Sequence, residues 1–139
     1  MISLIIPAWN AARTLGETLA SAVAQSLPPD EIIVVDDGST DQTAAIATAA
    51  GARLISQPRQ GPAVALNTGI AASRGDVLAF LDADDLWPAE KQAQQSARLA
   101  AEPALDGVFG QVENFLCPSV PDEQAERYRI VTEDRKSVV

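Results

Sequence analysis

The chain lacks several residue types that common active sites require. It has no histidine, so a Ser-His-Asp triad, a Cys-His pair or a His-Glu zinc site cannot form within it. Its only lysines are Lys91 and Lys136, which disfavours a lysine-based mechanism. The single Cys117 excludes an internal disulfide and is typical of a protein from a reducing compartment. These absences direct attention to sites built from other groups.

Aromatic residues are scarce, and long apolar runs are absent. Aromatic residues make up 4% of the chain and hydrophobic residues 47%, so a core must be built from Ala, Val, Leu and Ile. No stretch approaches the roughly 20 apolar residues of a membrane span, and residues 1–7 are too short for a secretory signal. We therefore expect a cytoplasmic protein without a membrane span. A peripheral position at the inner face of the membrane stays open for an intact enzyme.

Basic residues are also few. The chain has 19 acidic and 10 basic residues, a formal charge of -9, which argues against nucleic acid or anionic lipid as a partner. An anionic ligand would therefore need a metal ion or backbone amides to hold it. At 139 residues the chain has the length of one domain with a real core.

Apolar, strand-like runs alternate with helical patterns along the chain. The predicted strands are residues 2–6, 31–36, 52–56, 76–81 and 108–115. The predicted helices are residues 15–26, 41–50, 62–73 and 88–101, with a Thr14-x-x-Glu17 capping box before the first and Ser39 or Thr40 capping the second. Such alternation indicates right-handed crossovers and a mainly parallel sheet that is covered on both faces. The predicted fold class is a doubly wound, three-layer α/β domain.

Chemically distinctive residues follow three of these strands. The first strand is followed by Pro7, Ala8, Trp9 and Asn10. The second strand finishes with Asp36 and is followed by Asp37, and the fourth is followed by Asp82, Ala83, Asp84 and Asp85. In open α/β sheets, ligands bind at the carboxyl ends of the strands, near the switch point in strand order. We therefore expect these three loops to converge on one crevice.

The carboxylates of Asp82, Asp84 and Asp85 predict a metal site. Close carboxylates cannot neutralise one another, and the Asp-x-Asp spacing suits a hard cation such as Mg²⁺ or Mn²⁺. Such cations usually share their oxygen ligands with substrate phosphates. The first hypothesis for the substrate is therefore an anionic, phosphorylated compound.

Four segments in this order and spacing resemble the family 2 glycosyltransferases over about residues 2–115. They are Ile5-Ile6-Pro7-Ala8-Trp9-Asn10, Glu31 to Asp41, Gly61 with Ala65, Asn67 and Gly69, and Gly75-Asp76 leading into Phe80 to Pro88. The resemblance implies a GT-A fold with a mainly parallel central sheet. It further implies that residues 1–116 bind a nucleoside-diphosphate sugar, most commonly a UDP-sugar, and that residues 117–139 are a polar tail leading toward an acceptor-binding half.

The resemblance also assigns roles to single residues. It places Pro7, Ala8, Trp9 and Asn10 around the nucleobase, and it places Asp36 and Asn67 among the nucleotide-sugar-binding residues. Asp37 is expected to pair with the base. Asp82 is expected near the ribose and Ala83 among the nucleotide-sugar-binding residues, and Asp84 is expected to coordinate the cation together with Asp82 and with Asp85 beside it. One departure is Leu66, because many relatives carry an arginine there.

The reaction implied is metal-dependent glycosyl transfer with inversion to a hydroxyl of a glycan or a lipid-linked acceptor. No catalytic base can be assigned, because Glu133-Asp134 lacks the pattern that surrounds the family's later acidic motif. The isolated chain is therefore expected to bind the donor and to transfer poorly.

The acidic motifs allow two other readings. In a response-regulator receiver, Asp36-Asp37 would be the acidic pair, Asp82 the phosphoacceptor and Lys136 the lysine, but receivers place that pair after their first strand. In a haloacid-dehalogenase-type phosphatase, Asp82 and Asp84 would be nucleophile and acid, but that motif normally lies near the N-terminus. Both readings predict phosphorylation of Asp82.

Overall fold

A computed structural model describes residues 1–112, and its helices and strands all lie in one compact unit, Met1–Val108. The strands are β1 (Ile2–Ala8), β2 (Glu31–Asp36), β3 (Arg53–Ser56) and β4 (Val77–Phe80). The helices are α1 (Leu15–Val23), α2 (Thr43–Ala49), α3 (Pro62–Ala72) and α4 (Lys91–Ala101). The predicted tail at 117–139, with Cys117 and Glu133-Asp134, lies outside the described residues.

The four strands form one sheet in the order β3-β2-β1-β4, and every pair is parallel. β1 is therefore central, with β2 on one side and β4 on the other. Since the strand order reverses at β1, its carboxyl end is the switch point of the sheet. The predicted doubly wound α/β fold is confirmed. Among residues 1–112, every helix is too short or too polar to cross a lipid bilayer.

The two faces of the sheet are covered by different helices. On one face, Leu4, Ile6 and Val34 pack with residues of α1 and α2 such as Leu15 and Ala47. On the other face, residues of β2 pack against α3. Successive residues of β1 and β2 thus face opposite sides of the sheet, and both sides are apolar, as expected for strands that are buried on both faces.

β1 runs through Pro7 to Ala8, whereas the sequence predicted that Pro7 ends the strand. Proline removes a backbone donor, which matters only where a partner strand would accept it. Pairing of β1 with β4 stops at Ile5↔Phe80, and the next bond on that side runs from the Leu81 N–H to the Ile5 carbonyl. Residue 7 faces the same side as residue 5, beyond the end of the partner strand. Its missing N–H therefore costs no strand pairing.

Thr14 occupies the predicted N-cap position of α1 but makes no capping bond, and the predicted cap of α2 is wrong because Gln42 holds that position. The Thr14 hydroxyl donates to the Ala11 carbonyl, and it makes no cap bond to α1. Near the start of α2, the carboxylate of Asp41 accepts the Thr43 N–H at 2.9 Å, and the side chain of Ser39 is engaged elsewhere. Ser39 is bound by Asn10, a tertiary partner that the local pattern does not reveal, whereas Thr14 turns back to the residue three positions before it.

The end of α1, at Val23 and not residue 26, the start of α4 and the predicted fifth strand also differ from the sequence prediction. α4 begins at Lys91 because residues 88–90 form a turn. Within the predicted fifth strand, residues 108–112 form no strand in the part of the chain that the structure describes, and residues 113–115 lie outside it. A strand forms only where a neighbouring strand accepts its backbone bonds, so an apolar run is insufficient by itself.

A polar clamp closes the amino end of the sheet. The Glu31 side chain is 7% exposed and accepts hydrogen bonds from the Ser3 hydroxyl at 2.6 Å and from the Arg74 backbone N–H at 2.7 Å. The Arg74 guanidinium adds bonds of 3.1 and 3.2 Å. The Ser3 bond, followed by those from Arg74, holds the pKa of Glu31 below its ordinary value of 4.5, although burial acts in the opposite direction.

We expect Glu31→Gln to destabilise the protein more at pH 7 than at pH 4. Because the folded-state pKa of Glu31 is lowered, its charge contributes stability that is fully present above about pH 4.5 and is lost as the pH falls through the folded-state value. Urea unfolding at several pH values measures the free-energy gap between parent and variant. Glu102→Gln, at an exposed pair with Arg98, is the control. A gap for Glu31→Gln that stays constant with pH would contradict this role.

Candidate functional site

The segments that follow β1, β2 and β4 lie at one edge of the sheet. All four strands are parallel, so their carboxyl ends share this edge. The β1 segment is in the middle, the Asp36-Asp37 segment on the β2 side, and the acidic segment Asp82–Asp85 on the β4 side. The Asp37 N–H donates to the Ala8 carbonyl at 2.8 Å, which joins the ends of β1 and β2.

Asp37 organises the loop that follows β3. Its side chain is buried and accepts the Gln57 side-chain amide at 2.7 Å, the Gln60 N–H at 2.9 Å and the Gly61 N–H at 2.8 Å. Burial would raise the pKa of Asp37, but these three donors and the charge of Arg59 outweigh it and lower the pKa below its ordinary value. The carboxylate is therefore negatively charged at neutral pH and fixes the 57–61 loop against β2.

A cleft opens beside Asp37. It has a volume of about 210 Å³ and is lined by Pro7, Ala8, Trp9, Asp37, Arg59, Gly61 and Pro62. Trp9 is 45% exposed, and the Arg59 guanidinium lies over its ring, 3.4 Å from the centroid. The cleft thus combines a flat aromatic surface, a fixed carboxylate and a cation.

Asn10 fastens the β1 loop to the β2 loop. Its backbone has a positive φ of 47°, a conformation that asparagine tolerates better than most residues. Its N–H donates to the Ser39 hydroxyl at 2.9 Å, and its side-chain oxygen accepts the Thr40 N–H at 2.9 Å. Asp36 is buried and accepts the Ser39 N–H at 3.0 Å, so it supports the same turn. These two residues shape the site through contacts within the chain.

The acidic segment forms a turn after β4. Leu81 and Ala83 are buried in the core, whereas Asp82 and Asp84 are exposed. The Asp85 N–H donates to the Asp82 carbonyl at 3.1 Å and closes the turn. Burial, and then the negative charges of Asp84 and Asp82, raise the pKa of Asp85 above its ordinary value. Alternating apolar and acidic residues therefore anchor the turn and present carboxylates to solvent.

α1 holds the acidic turn through a row of polar side chains on its inner face. The buried Thr18 hydroxyl donates to the Ala83 carbonyl at 3.0 Å, and the Ser21 hydroxyl accepts the Trp87 N–H at 3.1 Å. Just beyond the end of α1, the Gln25 amide donates to the Pro88 carbonyl at 2.8 Å. These bonds fix the backbone on both sides of Asp84 and Asp85.

Comparison with known proteins identifies the family. The family model described as glycosyl transferase family 2 matches residues 3–138, which is nearly the whole chain. The chain is a family 2 glycosyltransferase sequence. The resemblance expected from the sequence motifs is confirmed, and neither the receiver nor the phosphatase alternative is favoured.

Individual family 2 relatives agree with this assignment. An uncharacterized glycosyltransferase of Nostoc sp. is 43% identical over 96 residues, covering 65% of this chain and 30% of that protein. The structure of S. aureus TarS 1-349 in complex with UDP matches with a TM-score of 0.67 at 28% identity, covering 72% of this chain and 32% of that one.

A second solved structure is Mycobacterium tuberculosis glucosyl-3-phosphoglycerate synthase in complex with Mn²⁺, UDP and glucosyl-3-phosphoglycerate. It matches with a TM-score of 0.61 at 33% identity over 72% of this chain and 39% of that one. The GT-A fold prediction is confirmed by these neighbours. The chain spans between 30 and 39% of the length of the three proteins named here.

One residue predicted to bind the nucleotide-sugar lies away from the cleft. Asn67 is exposed on α3 and is not among the residues that line the cleft, so its predicted ligand contact stays a prediction. Trp87, which follows the acidic turn, is buried in the core with Lys91 over its ring, so it packs within the protein.

Sequence reasoning missed Arg59 and Thr18. Arg59 follows β3, which lies beside β2, so its position in a loop at the ligand edge was readable once the strand order was known. Thr18 interrupts the apolar face formed by Leu15, Leu19 and Ala22, and a buried hydroxyl on such a face signals a specific hydrogen bond.

The cation site predicted at the acidic turn stays a prediction. In residues 1–112, no group of three or more carboxylate, thiol or imidazole side chains is placed to hold a metal ion, so Asp82, Asp84 and Asp85 do not form a ready three-carboxylate site. Mg²⁺ sites commonly use only one or two carboxylates, with substrate phosphates and waters completing the shell. Burial first, and then the charges of Asp84 and Asp82, raise the pKa of Asp85, and the exposed carboxylates of this turn are hard oxygen donors of the kind that such cations take.

Proposed function

We propose that this chain forms the donor-binding part of an inverting, metal-dependent glycosyltransferase whose donor is a UDP-sugar. The observation that carries the proposal is the pairing of the Trp9–Asp37 cleft with the acidic turn at one sheet edge. A nucleoside diphosphate offers a flat base for the cleft and an anionic diphosphate for a cation. UDP in the two solved neighbours supports this choice of nucleotide.

Asp37 is proposed to select a base that carries a ring N–H. A carboxylate has about four acceptor sites. In Asp37, Oδ1 accepts two donors and Oδ2 accepts one, which leaves one site on Oδ2 for a ligand. The N3–H of uracil or thymine and the N1–H of guanine are donors of this kind. UDP is therefore preferred, with dTDP and GDP as the alternatives.

Trp9 and Pro7 are proposed as the walls that enclose the base. An exposed indole offers a stacking surface, and stacking of a base on an aromatic side chain contributes about 1–3 kcal/mol. Ala8 and Gly61 keep the floor of the cleft small. Asn10 and Asp36 act by holding the loops in place.

Asp84 and Asp82 are proposed to hold Mg²⁺ or Mn²⁺, with Asp85 beside them. A bound cation would offset the repulsion among the carboxylates and stabilise charge on the departing diphosphate. Ala83 supports both acidic residues because its side chain is buried and its carbonyl accepts the Thr18 hydroxyl. Fixed backbone on both sides of Asp84 reduces the reorganisation needed for binding.

The acceptor is proposed to be a hydroxyl of a glycan or a lipid-linked saccharide. In an inverting transfer this hydroxyl attacks the anomeric carbon in line, on the side opposite the nucleoside diphosphate, which leaves with the bonding electrons. The orientation of the two reactants supplies much of the rate enhancement. No residue among those described is assigned as the base that removes the hydroxyl proton.

Asp37→Ala is expected to weaken UDP binding both with Mn²⁺ and with chelator. The substitution removes the acceptor for the base and releases Gln57, Gln60 and Gly61 from their common anchor. Loss of a hydrogen bond to a charged group alone predicts roughly a tenfold or greater weakening. Calorimetric titration of parent and variant gives the two dissociation constants. Asp41→Ala, which removes a carboxylate bonded to Thr43, is the control.

The proposal is tested by titrating UDP, GDP and dTDP into the chain, each with Mn²⁺ and with chelator. Tight, Mn²⁺-dependent binding of UDP and weaker binding of the others is the expected result. Failure of all three nucleotides to bind, with the protein folded by circular dichroism, would overturn the proposed function.

A further inference from the structure

The Arg59 side chain occupies the surface that a base would use. Its guanidinium lies 3.4 Å from the centroid of the Trp9 ring, which is the thickness of one stacked layer. A flat ligand cannot enter between the two groups without moving one of them. Trp9 and Arg59 both line the cleft, and Arg59 is the cationic residue of that lining.

The backbone of Arg59 is held on two sides. Asp37 accepts the N–H groups of Gln60 and Gly61, which follow Arg59 directly. On the other side, Gly38 has a φ of +76°, and a Cβ there would lie 2.9 Å from the Arg59 nitrogen. A side chain at position 38 would therefore displace Arg59. The loop backbone is fixed, whereas the exposed Arg59 side chain has several rotatable bonds.

The Arg59 guanidinium could also bind the diphosphate of a nucleotide at the same site. The chain carries a charge of -9, so a diphosphate approaching this edge meets net repulsion. Arginine forms short, charge-assisted hydrogen bonds with phosphate and is bound to an aromatic ring by only about 0.5–1 kcal/mol when exposed. Exchange of the ring for a phosphate is thus favourable once a base can stack on Trp9.

We infer that Arg59 is a nucleotide-binding residue that changes partners: it covers Trp9 in the free protein and contacts the diphosphate when the base takes its place. The inference rests on the proposed function and adds a specific binding residue to it. It has a distinctive consequence, because Arg59 opposes binding of the nucleoside and favours binding of the diphosphate. A residue that merely shapes the cleft would affect both ligands in the same direction.

The test compares uridine with UDP in Mn²⁺ by calorimetry, using the whole chain. Arg59→Ala is expected to bind uridine about two- to fivefold more tightly than the parent, because the competitor for Trp9 is gone. The same variant is expected to bind UDP about tenfold more weakly, because a charge-assisted contact is lost. Arg98→Ala removes an equal charge from an exposed helix position and should leave both affinities unchanged.

Arg59→Lys is the second variant, since it retains the cation with a smaller change to the loop. It should keep UDP affinity within about threefold of the parent, because lysine also pairs with phosphate. If the parent binds both ligands and Arg59→Ala weakens both or changes neither, the partner exchange is wrong while the proposed function stands. If the parent binds neither ligand, the proposed function fails, and this inference fails with it.

Discussion

Asp84→Asn is expected to abolish the gain in UDP affinity that Mn²⁺ provides. Asparagine keeps the size of the side chain but removes the negative charge, and hard divalent cations rely on one or two carboxylates in sites of this kind. Even the loss of an outer-shell partner typically costs 10–100-fold in metal affinity, so we expect the loss of a ligand to cost at least about that much. Calorimetry should give the variant in Mn²⁺ the affinity of the parent in chelator.

Asp76→Asn is the matched control for this result. Asp76 precedes β4 at the amino end of the sheet, and its side chain is 88% exposed and pairs with the terminal amine. The Asp76→Asn substitution removes the same charge from the opposite edge of the sheet. It should therefore leave the Mn²⁺-dependent gain in UDP affinity intact. Equal losses in the two variants would mean that net charge, and not a local cation site, governs binding. Asp37→Ala should differ from both by weakening binding even in chelator.

Gly69→Ala is expected to lower the free energy of unfolding by about 1–3 kcal/mol. A Cβ at position 69 would lie 2.4 Å from Cγ2 of Ile5 and 3.3 Å from Cγ2 of Val35. Ile5 is β-branched and fully buried in the central strand, so it has little room to move away. The glycine is therefore what allows α3 to approach β1 closely. Urea unfolding at pH 7 measures the change.

Gly16→Ala provides the comparison within another helix. A Cβ at position 16 would meet only Ile46, at 4.0 Å, which is ordinary contact. Alanine is the better helix former by about 0.5–1 kcal/mol, so this variant should be more stable than the parent. The same Gly→Ala change is thus expected to raise the free energy of unfolding in α1 and to lower it in α3. Destabilisation of similar size at both positions would contradict the close packing of α3 on β1.

Much of the fold could be predicted from the sequence because the strand pattern and the helix pattern indicated the same fold class. β1 and β2 are almost wholly apolar, as strands buried on both faces must be, and the helices between strands have one apolar side. The position of Asp37 and Asp84 at strand ends followed from the same pattern. Since parallel strands end at one edge, the convergence of their loops was a geometric consequence of the fold class.

The errors arose where a distant partner decides a local feature. Pro7 continues β1 because β4 stops earlier, which no pattern around Pro7 records. Ser39 accepts the Asn10 N–H instead of capping α2, and that bond joins residues from two different loops. The contact of Arg59 with Trp9 spans fifty positions and depends on the Asp37 anchor. Side-chain pairings of this kind require the tertiary structure.

Mn²⁺ can be localised by paramagnetic broadening of backbone amide signals in the presence of UDP. We expect signals of residues 82–85 and of the adjacent Ala8–Asn10 segment to broaden, while those of Glu31 and Arg74 at the opposite edge persist. Broadening that depends on UDP would join the cation and the nucleotide in one site. Broadening centred elsewhere, or none at saturating UDP, would contradict the central claim that this sheet edge binds a metal and a nucleoside diphosphate together.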